Sequence, residues 1–216
     1  MNITDVTYYQ NGKKFIPNVN NLAVEIDGVP NSGNEITYFI TKYERQLLIY
    51  FLGISLYNEL QTALQDLPNA AQKWQDLVNG VDYTKDNVTY RFDGLKGNEK
   101  DSLLAYYVFC EYLKNDNDYY STVGTTKSMA KDGVNVTSTR RYLEAWYEFI
   151  NKYQNECGTD EPIYYVSNGV VVGIDYHANM DRKNKLVSLE TYLKDHETEF
   201  EGYDFQRFNN KNTLGI

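Results

Sequence analysis

Residues 36–67 read ITYFITKYERQLLIYFLGISLYNELQTALQDL, and their apolar positions decide the fold class. The first half repeats apolar residues at the 3.6-residue period of a helix that is buried on one face. The members of this stripe are Ile36, Phe39, Ile40, Tyr43, Leu47, Tyr50 and Phe51. Asn34 is a suitable N-cap and Gly53 a suitable stop, and Ser55 can cap a second helix that ends at Pro68. The stretch therefore predicts two amphipathic helices in succession.

The same periodicity predicts further helices on the C-terminal side. They cover about residues 70–78, with a stop at Gly80, and about residues 98–114, 138–155 and 186–199. Two further segments lie between them. The first alternates apolar and polar residues around a turn at 85–87, which predicts a small hairpin or an irregular loop. The second places Ser167-Asn168-Gly169 between two β-branched runs, which predicts a hairpin.

These elements predict a mainly α protein, a small amphipathic helical bundle with a short β-hairpin element and extended N- and C-terminal arms. The polar stretch 1–34 is interpreted as an extended arm, 35–157 as the helical core, and 158–216 as an extension with a hairpin and one helix. Residues 115–137 form a long polar connection inside the core. Compact domains rarely contain so long a segment without secondary structure unless it has a function. We therefore interpret it as a loop used in assembly.

Composition excludes several classes of function. The 216 residues include 21 Lys and Arg and 30 Asp and Glu, which gives a net charge of −9. This charge disfavours electrostatic binding of nucleic-acid phosphates by a basic surface. The first 30 residues show no pattern of a secretory signal, and no apolar run reaches the roughly 18 residues of a membrane span. We expect a soluble protein made in a cytoplasm, without a membrane partner.

No pattern of catalytic or metal-binding residues stands out. The histidines, His177 and His196, have acidic neighbours such as Asp175, but a metal site needs at least three converging ligands. Cys110 lies on an apolar helix stripe and is interpreted as a buried small side chain. Gly124 lies in a segment that lacks the spacing of a phosphate-binding loop. We therefore expect no enzyme activity, no catalytic residue, no metal and no cofactor.

The 21 tyrosines leave two classes of function open. Tyrosine suits half-buried positions and protein interfaces, which favours a structural subunit. The alternative is a carbohydrate-active enzyme or glycan-binding module, in which clustered tyrosines stack on sugar rings in one cleft beside paired carboxylates. Because most tyrosines follow helix stripes, the structural subunit is the preferred hypothesis.

An ordered series of packing motifs supports that preference. The series consists of YERQLL at 43–48, FLGISLYNEL at 51–60, Trp74-x-x-Leu77-x-x-Gly80-x-x-Tyr83, Gly94-Leu95, Tyr106-Tyr107, Thr122-x-Gly124 and Ala145-Trp146. In this order the motifs resemble the head-to-tail connector (neck adaptor) proteins of tailed bacteriophages, and they are similar to structural proteins of crAss-like and other Bacteroidetes-infecting phages. The resemblance covers about residues 35–155.

The resemblance implies a virion structural protein in the neck, present in the host cytoplasm before assembly. Such a subunit forms a homo-oligomeric ring of about twelve copies between the portal vertex and the tail. Its partners would be the portal protein, other neck and tail proteins, and packaged DNA that passes through the channel without specific binding. The residues expected to pack the helical core are Phe39, Tyr43, Leu47, Phe51, Leu56, Leu60, Trp74, Tyr106, Cys110, Tyr142, Trp146 and Phe149.

Overall fold

The computed structural model describes residues 1–17, 19, 32–116, 119–121, 124–126, 138–154, 163–167, 170–175 and 186–208. This part of the chain is mainly helical with short antiparallel hairpins, which confirms the predicted fold class. Its α-helices are α1 (Ser32–Phe39), α2 (Arg45–Ala63), α3 (Gln72–Asn79), α4 (Leu103–Asp116), α5 (Ser138–Tyr153) and α6 (Leu189–Asp195).

A π-helical turn, Ile40–Glu44, joins α1 directly to α2. Helix α1 begins at Ser32, so the prediction of Asn34 as its cap is wrong, and Asn34 lies inside the helix. Gly53 does interrupt the helical path as predicted, because its φ of 73° and ψ of 170° are non-helical within α2. Gly80 likewise follows α3 with a φ of 86° and donates its N–H to the Asp76 carbonyl.

Helix α4 starts later than predicted. A separate 3-10 turn, Asn98–Lys100, precedes it, and Glu99 and Lys100 in that turn both have positive φ. The Ser102 hydroxyl accepts hydrogen bonds from the N–H groups of Leu104 and Ala105, as an N-cap does. Helix α6 is also shorter than predicted, because Ser188 caps it through the Thr191 N–H and its C-cap is His196.

Both predicted hairpins are present. Strands β1 (Val81–Lys85) and β2 (Val88–Phe92) pair across Asp86 and Asn87, whose positive φ values fit a two-residue hairpin turn. An additional pair, β3 (Tyr119–Ser121) with β4 (Gly124–Thr126), lies inside the segment 115–137 that is predicted as a loop; the rest of that segment beyond Asp116 is outside the described residues. The second predicted hairpin consists of β5 (Ile163–Ser167) and β6 (Val170–Asp175), which pair with Ser167 opposite Val170.

Helix α4 lies at the centre of the core. Every residue from Ser102 to Cys110 is buried, as expected for a helix covered on all sides. Helix α5 packs along α4, and α6 adds Leu189, Tyr192 and Leu193 to the same buried cluster. Part of the predicted C-terminal extension therefore belongs to the core.

In their described parts, both predicted arms are docked on the helices. In the N-terminal arm, Ile3, Tyr9 and Ile16 are buried, and 3-10 turns cover Val6–Tyr9 and Gly12–Lys14. In the C-terminal part, Gln154 exchanges two side-chain hydrogen bonds with the backbone of Phe208, at 2.6 and 2.7 Å. Apolar side chains within otherwise polar segments supply the burial that holds both ends in place.

Candidate interaction surface

The structure brings the twelve predicted packing residues into one cluster. Ten of them are buried: Phe39, Leu47, Phe51, Leu56, Leu60, Trp74, Tyr106, Cys110, Trp146 and Phe149. Tyr43 and Tyr142 are half-buried and pack against that cluster. The Cys110 sulfur lies 3.9 Å from the Tyr142 carbonyl oxygen, inside the interface of α4 and α5. All twelve therefore have a position in this packed cluster.

Glu44 is a buried carboxylate that the sequence analysis missed. It ends the π-helical turn and accepts hydrogen bonds from the Ile3 N–H, from the Thr4 N–H at 3.1 Å and from the Thr4 hydroxyl at 2.8 Å. Nearby, the Met1 ammonium group donates to Gln61. A glutamate inside a helical stripe gives no sign in the sequence of a partner 40 positions away. Its role here is to hold the start of the chain against α1 and α2.

The pH dependence of stability should report this burial. Burial raises the pKa of Glu44 above its ordinary value of 4.5, and the hydrogen bonds from Ile3 and Thr4 oppose that shift only in part. The folded chain therefore keeps a proton on Glu44 at pH values where the unfolded chain has lost it, so this group stabilises less as pH rises. In Glu44→Gln the titration is absent. Urea denaturation measures the free energy of unfolding of wild type and of the variant at each pH. We expect the difference, wild type minus variant, to decrease as the pH rises from below 4.5 towards neutrality. A difference that increases with pH would contradict this.

A polar depression of about 290 Å³ lies between the N-terminal arm and the turn before α4. Tyr8, Tyr106, Glu99 and Asp101 contribute to its lining. Asp101 lies 2.7 Å from Lys152 Nζ and 3.9 Å from that of Lys14. Burial is the largest single influence and would raise the pKa of Asp101, but Lys152, Tyr106 and Lys14 together lower it. The carboxylate thus stays ionised and ties the arm to α5.

A second polar cluster joins the first hairpin to α6. The Tyr83 hydroxyl donates to Asp195 at 2.7 Å, and Lys85 donates to the other oxygen of the same carboxylate. His196 packs its ring 4.3 Å from that of Tyr192, and its Nδ1 lies 2.9 Å from the Tyr192 carbonyl oxygen. His177 is outside the described residues. Among the residues that the structure does describe, no group of three His, Cys, Asp or Glu side chains could hold a metal ion.

The candidate functional site is an exposed face of α1, the π-helical turn and α2. A recess of about 400 Å³ on this face is lined by Lys42, Arg45, Gln46, Ile49 and Tyr50. Together with Tyr38, whose ring centroid lies 5.7 Å from Lys42 Nζ, these residues are called the helical patch. Tyr38 is 60% exposed and Tyr50 38%. Large apolar surface left in water on one face is typical of a protein interaction site.

The charge of the helical patch differs from that of the whole chain. The charged side chains that line its recess are Lys42 and Arg45, both cations. Glu44 is buried and occupied by the N-terminal arm, so it does not neutralise this face. Lys42 and Arg45 lie over the rings of Tyr43 and Tyr57, at 4.8 and 6.0 Å, and form no ion pair with a described carboxylate. An acidic protein therefore presents a positive, aromatic face.

Sequence reasoning missed this patch, although a signal was present. The periodicity places Tyr50 on the buried stripe, and that prediction is wrong because Tyr50 is exposed. Aromatic residues and arginine are over-represented at protein interfaces, where tryptophan, tyrosine and arginine contribute most to affinity. The spacing of Lys42 and Arg45, three positions apart among tyrosines, is the feature of the sequence that could have indicated the patch.

Comparison with protein-family models, with characterised proteins and with solved structures finds no match for this chain. Within the described residues, no helix combines the length and the apolar character that crossing a bilayer requires. What supports a functional proposal is therefore the geometry of the described surface together with the sequence motifs.

Proposed function

We propose that this chain is a virion structural protein, a head-to-tail connector subunit that forms a ring between the portal vertex and the tail of a bacteriophage. The observation that carries the proposal is the helical patch, an exposed, positive and aromatic face on a chain of net charge −9. A ring subunit needs such a face for its neighbour, since head-to-tail contacts use two different surfaces of each copy. The ordered packing motifs of residues 35–155 support the same class.

The docked ends of the chain fit this role. A subunit under mechanical load in a particle benefits from ends that are tied to its core, and both described ends are tied by buried side chains and hydrogen bonds. The protein would enter the virion neck from the host cytoplasm and contact the portal protein and other neck and tail proteins. The ring would surround the DNA channel.

The test is a cryo-EM map of the virion that carries this chain, with mass spectrometry of purified particles. We expect the chain in the particles at about twelve copies, traced as a ring next to the portal. Particles that lack the chain, or that hold it outside the neck, would refute the proposal.

The DNA-binding behaviour of the assembled protein should be weak. The net charge is −9, and two of the cations near the predicted assembly loop are already engaged: Arg140 pairs with Glu144 at 2.8 Å, and Arg141 donates to the Phe15 carbonyl. Lys127 and Lys131 lie outside the described residues. In a salt series with duplex DNA we expect a dissociation constant weaker than about 1 μM at physiological salt. Tighter binding with a steep salt slope would contradict a passive channel.

The alternative, a glycan-binding or carbohydrate-active module, would use the depression beside Tyr8 and Tyr106. A glycosidase needs one carboxylic acid whose pKa is raised so that it can protonate the leaving group. The pKa of Asp101 is lowered by Lys152, and its carboxylate is held in ion pairs. Asp101 is therefore suited to a structural contact and not to proton donation. Calorimetric titration with oligosaccharides tests the alternative, and saturable binding lost in Tyr8→Ala would favour it over the connector.

A further inference from the structure

A second distinct surface lies at the other end of α2. It is a groove of about 480 Å³ whose lining includes Glu59, Ala63, Asp66, Ala70, Ala71 and Trp74. We call it the acidic groove. The small alanine side chains leave room for a larger side chain of another molecule.

The charge of this groove is opposite to that of the helical patch. From residue 55 to 72 the sequence has Glu59 and Asp66 and neither lysine nor arginine. Lys73 Nζ lies 3.6 Å from Glu59, so that carboxylate is already paired. Asp66 is exposed, accepts hydrogen bonds from Asn69 at 3.0 and 3.1 Å and forms no ion pair with a described residue. Asp66 is therefore the group that a positive partner would meet.

The geometry points to the helical patch of a second copy as the occupant of the acidic groove. The cations of the patch, Lys42 and Arg45, would approach Asp66, and an exposed ring such as that of Tyr38 would fill the space above the alanines. Opposite charges on two interacting faces set orientation and speed association. This inference rests on the proposed ring, whose subunit contact it specifies.

Within one copy these two groups are not paired. Arg45 lies over the Tyr57 ring at 6.0 Å, Asp66 accepts hydrogen bonds from Asn69, and neither forms an ion pair with a described residue. The contact therefore joins different copies and leaves a free patch at one end of the pair and a free groove at the other. Repetition of such a contact closes a ring if the rotation between copies is suitable.

Charge reversal on each side tests the contact. The variants are Lys42→Glu/Arg45→Glu, which reverses the charge of the patch, and Asp66→Arg, which reverses the charge of the groove. Each alone sets like charges against each other, so we expect self-association at least about tenfold weaker than in wild type by sedimentation velocity. The matched control is Arg140→Glu, an exposed cation on α5 outside both surfaces, which should assemble as wild type does. Circular dichroism and thermal unfolding of each variant verify that it folds.

The decisive sample is an equimolar mixture of the two variants. In it every reversed patch can face a reversed groove, and every native patch a native groove, so we expect assembly to recover to within about threefold of wild type. The chain that carries all three substitutions, Lys42→Glu, Arg45→Glu and Asp66→Arg, should recover in the same way. Recovery cannot come from a misfolded chain, which separates loss of the contact from loss of the fold.

Three results would overturn the inference: single reversals that assemble as wild type does, a mixture that does not recover, or a wild-type chain that stays monomeric at its highest soluble concentration. The connector proposal is judged separately. If the charge-reversed variants form oligomers as wild type does, only this contact is refuted. If the chain self-associates through this contact but is missing from virions, only the neck assignment is refuted.

Discussion

Replacing Trp146 with alanine is expected to lower the free energy of unfolding by about 3–5 kcal/mol, the usual cost of removing a large aromatic side chain from a core. Trp146 is 4% exposed and lies on the face of α5 that packs against α4. Its ring centroid is 5.2 Å from that of Phe149, 6.0 Å from that of Tyr142 and 5.7 Å from that of Phe208. The substitution would leave a cavity among rings that cannot all move inward.

Tyr147 provides the matched control, because it is the next residue on the same helix and is 65% exposed. Tyr147→Ala should change the free energy of unfolding by no more than about 0.5 kcal/mol. Urea denaturation of both variants and of wild type measures the difference. A Trp146→Ala effect below about 1 kcal/mol would mean that this face of α5 does not contribute to the core.

Loss of the Trp146 ring should also weaken the packing of the C-terminal segment against α5. Phe208 packs on Trp146 and Phe149, and its backbone hydrogen bonds reach Gln154 at the end of the same helix. Hydrogen exchange at the Phe208 amide should therefore become faster in Trp146→Ala than in Tyr147→Ala.

The helices could be predicted because their apolar residues recur with the helical period and glycines stand at their ends. Gly53 and Gly80 are the predicted stops, and both have the positive φ that a continuing helix does not allow. The first hairpin could be predicted because Asp86 and Asn87 tolerate left-handed backbone. These are local properties, and local properties are what a single sequence shows most directly.

The sequence assigns one residue of the first helical stripe, Tyr50, to the wrong face, although it places Leu47 and Phe51 correctly. The π-helical turn at Ile40–Glu44 has a wider hydrogen-bonding pattern than an α-helix, so it rotates the residues that follow relative to those before it. After the turn, Leu47, Leu48, Phe51 and Leu52 face the core, while Tyr50 is left partly exposed. A stripe extrapolated at 3.6 residues per turn across this point therefore assigns Tyr50 to the wrong face.

The docking of the ends was missed for a different reason. Glu44 holds Ile3 and Thr4 across about 40 positions of sequence, and Gln154 holds Phe208 across 54. Nothing in the composition of a polar arm shows which buried group will accept its backbone N–H groups. The same limit applies to the helical patch, whose exposure depends on which helices cover the other faces.

Replacing Gly94 with alanine is expected to destabilise the protein by at least about 3 kcal/mol, since two separate costs add. Gly94 has a φ of 76°, which costs an alanine roughly 1–2 kcal/mol. A Cβ at this position would also lie 2.3 Å from the backbone nitrogen of Gly80 and 2.7 Å from the Val78 carbonyl oxygen. Backbone atoms cannot move aside as the end of a flexible side chain can, so the end of α3 would have to separate from the end of β2.

That separation would break hydrogen bonds as well. The N–H groups of Leu95 and Lys96 donate to the carbonyls of Leu77 and Val78, both at 2.9 Å, and these bonds hold the hairpin to α3. Gly202→Ala is the control, because Gly202 has a φ of 83° but no atom within 4 Å of an added Cβ. We expect Gly202→Ala to cost only the roughly 1–2 kcal/mol of strained backbone. Thermal and urea unfolding of the two variants compare the costs directly, and equal destabilisation would show that the close approach of Gly94 to Gly80 contributes nothing to stability.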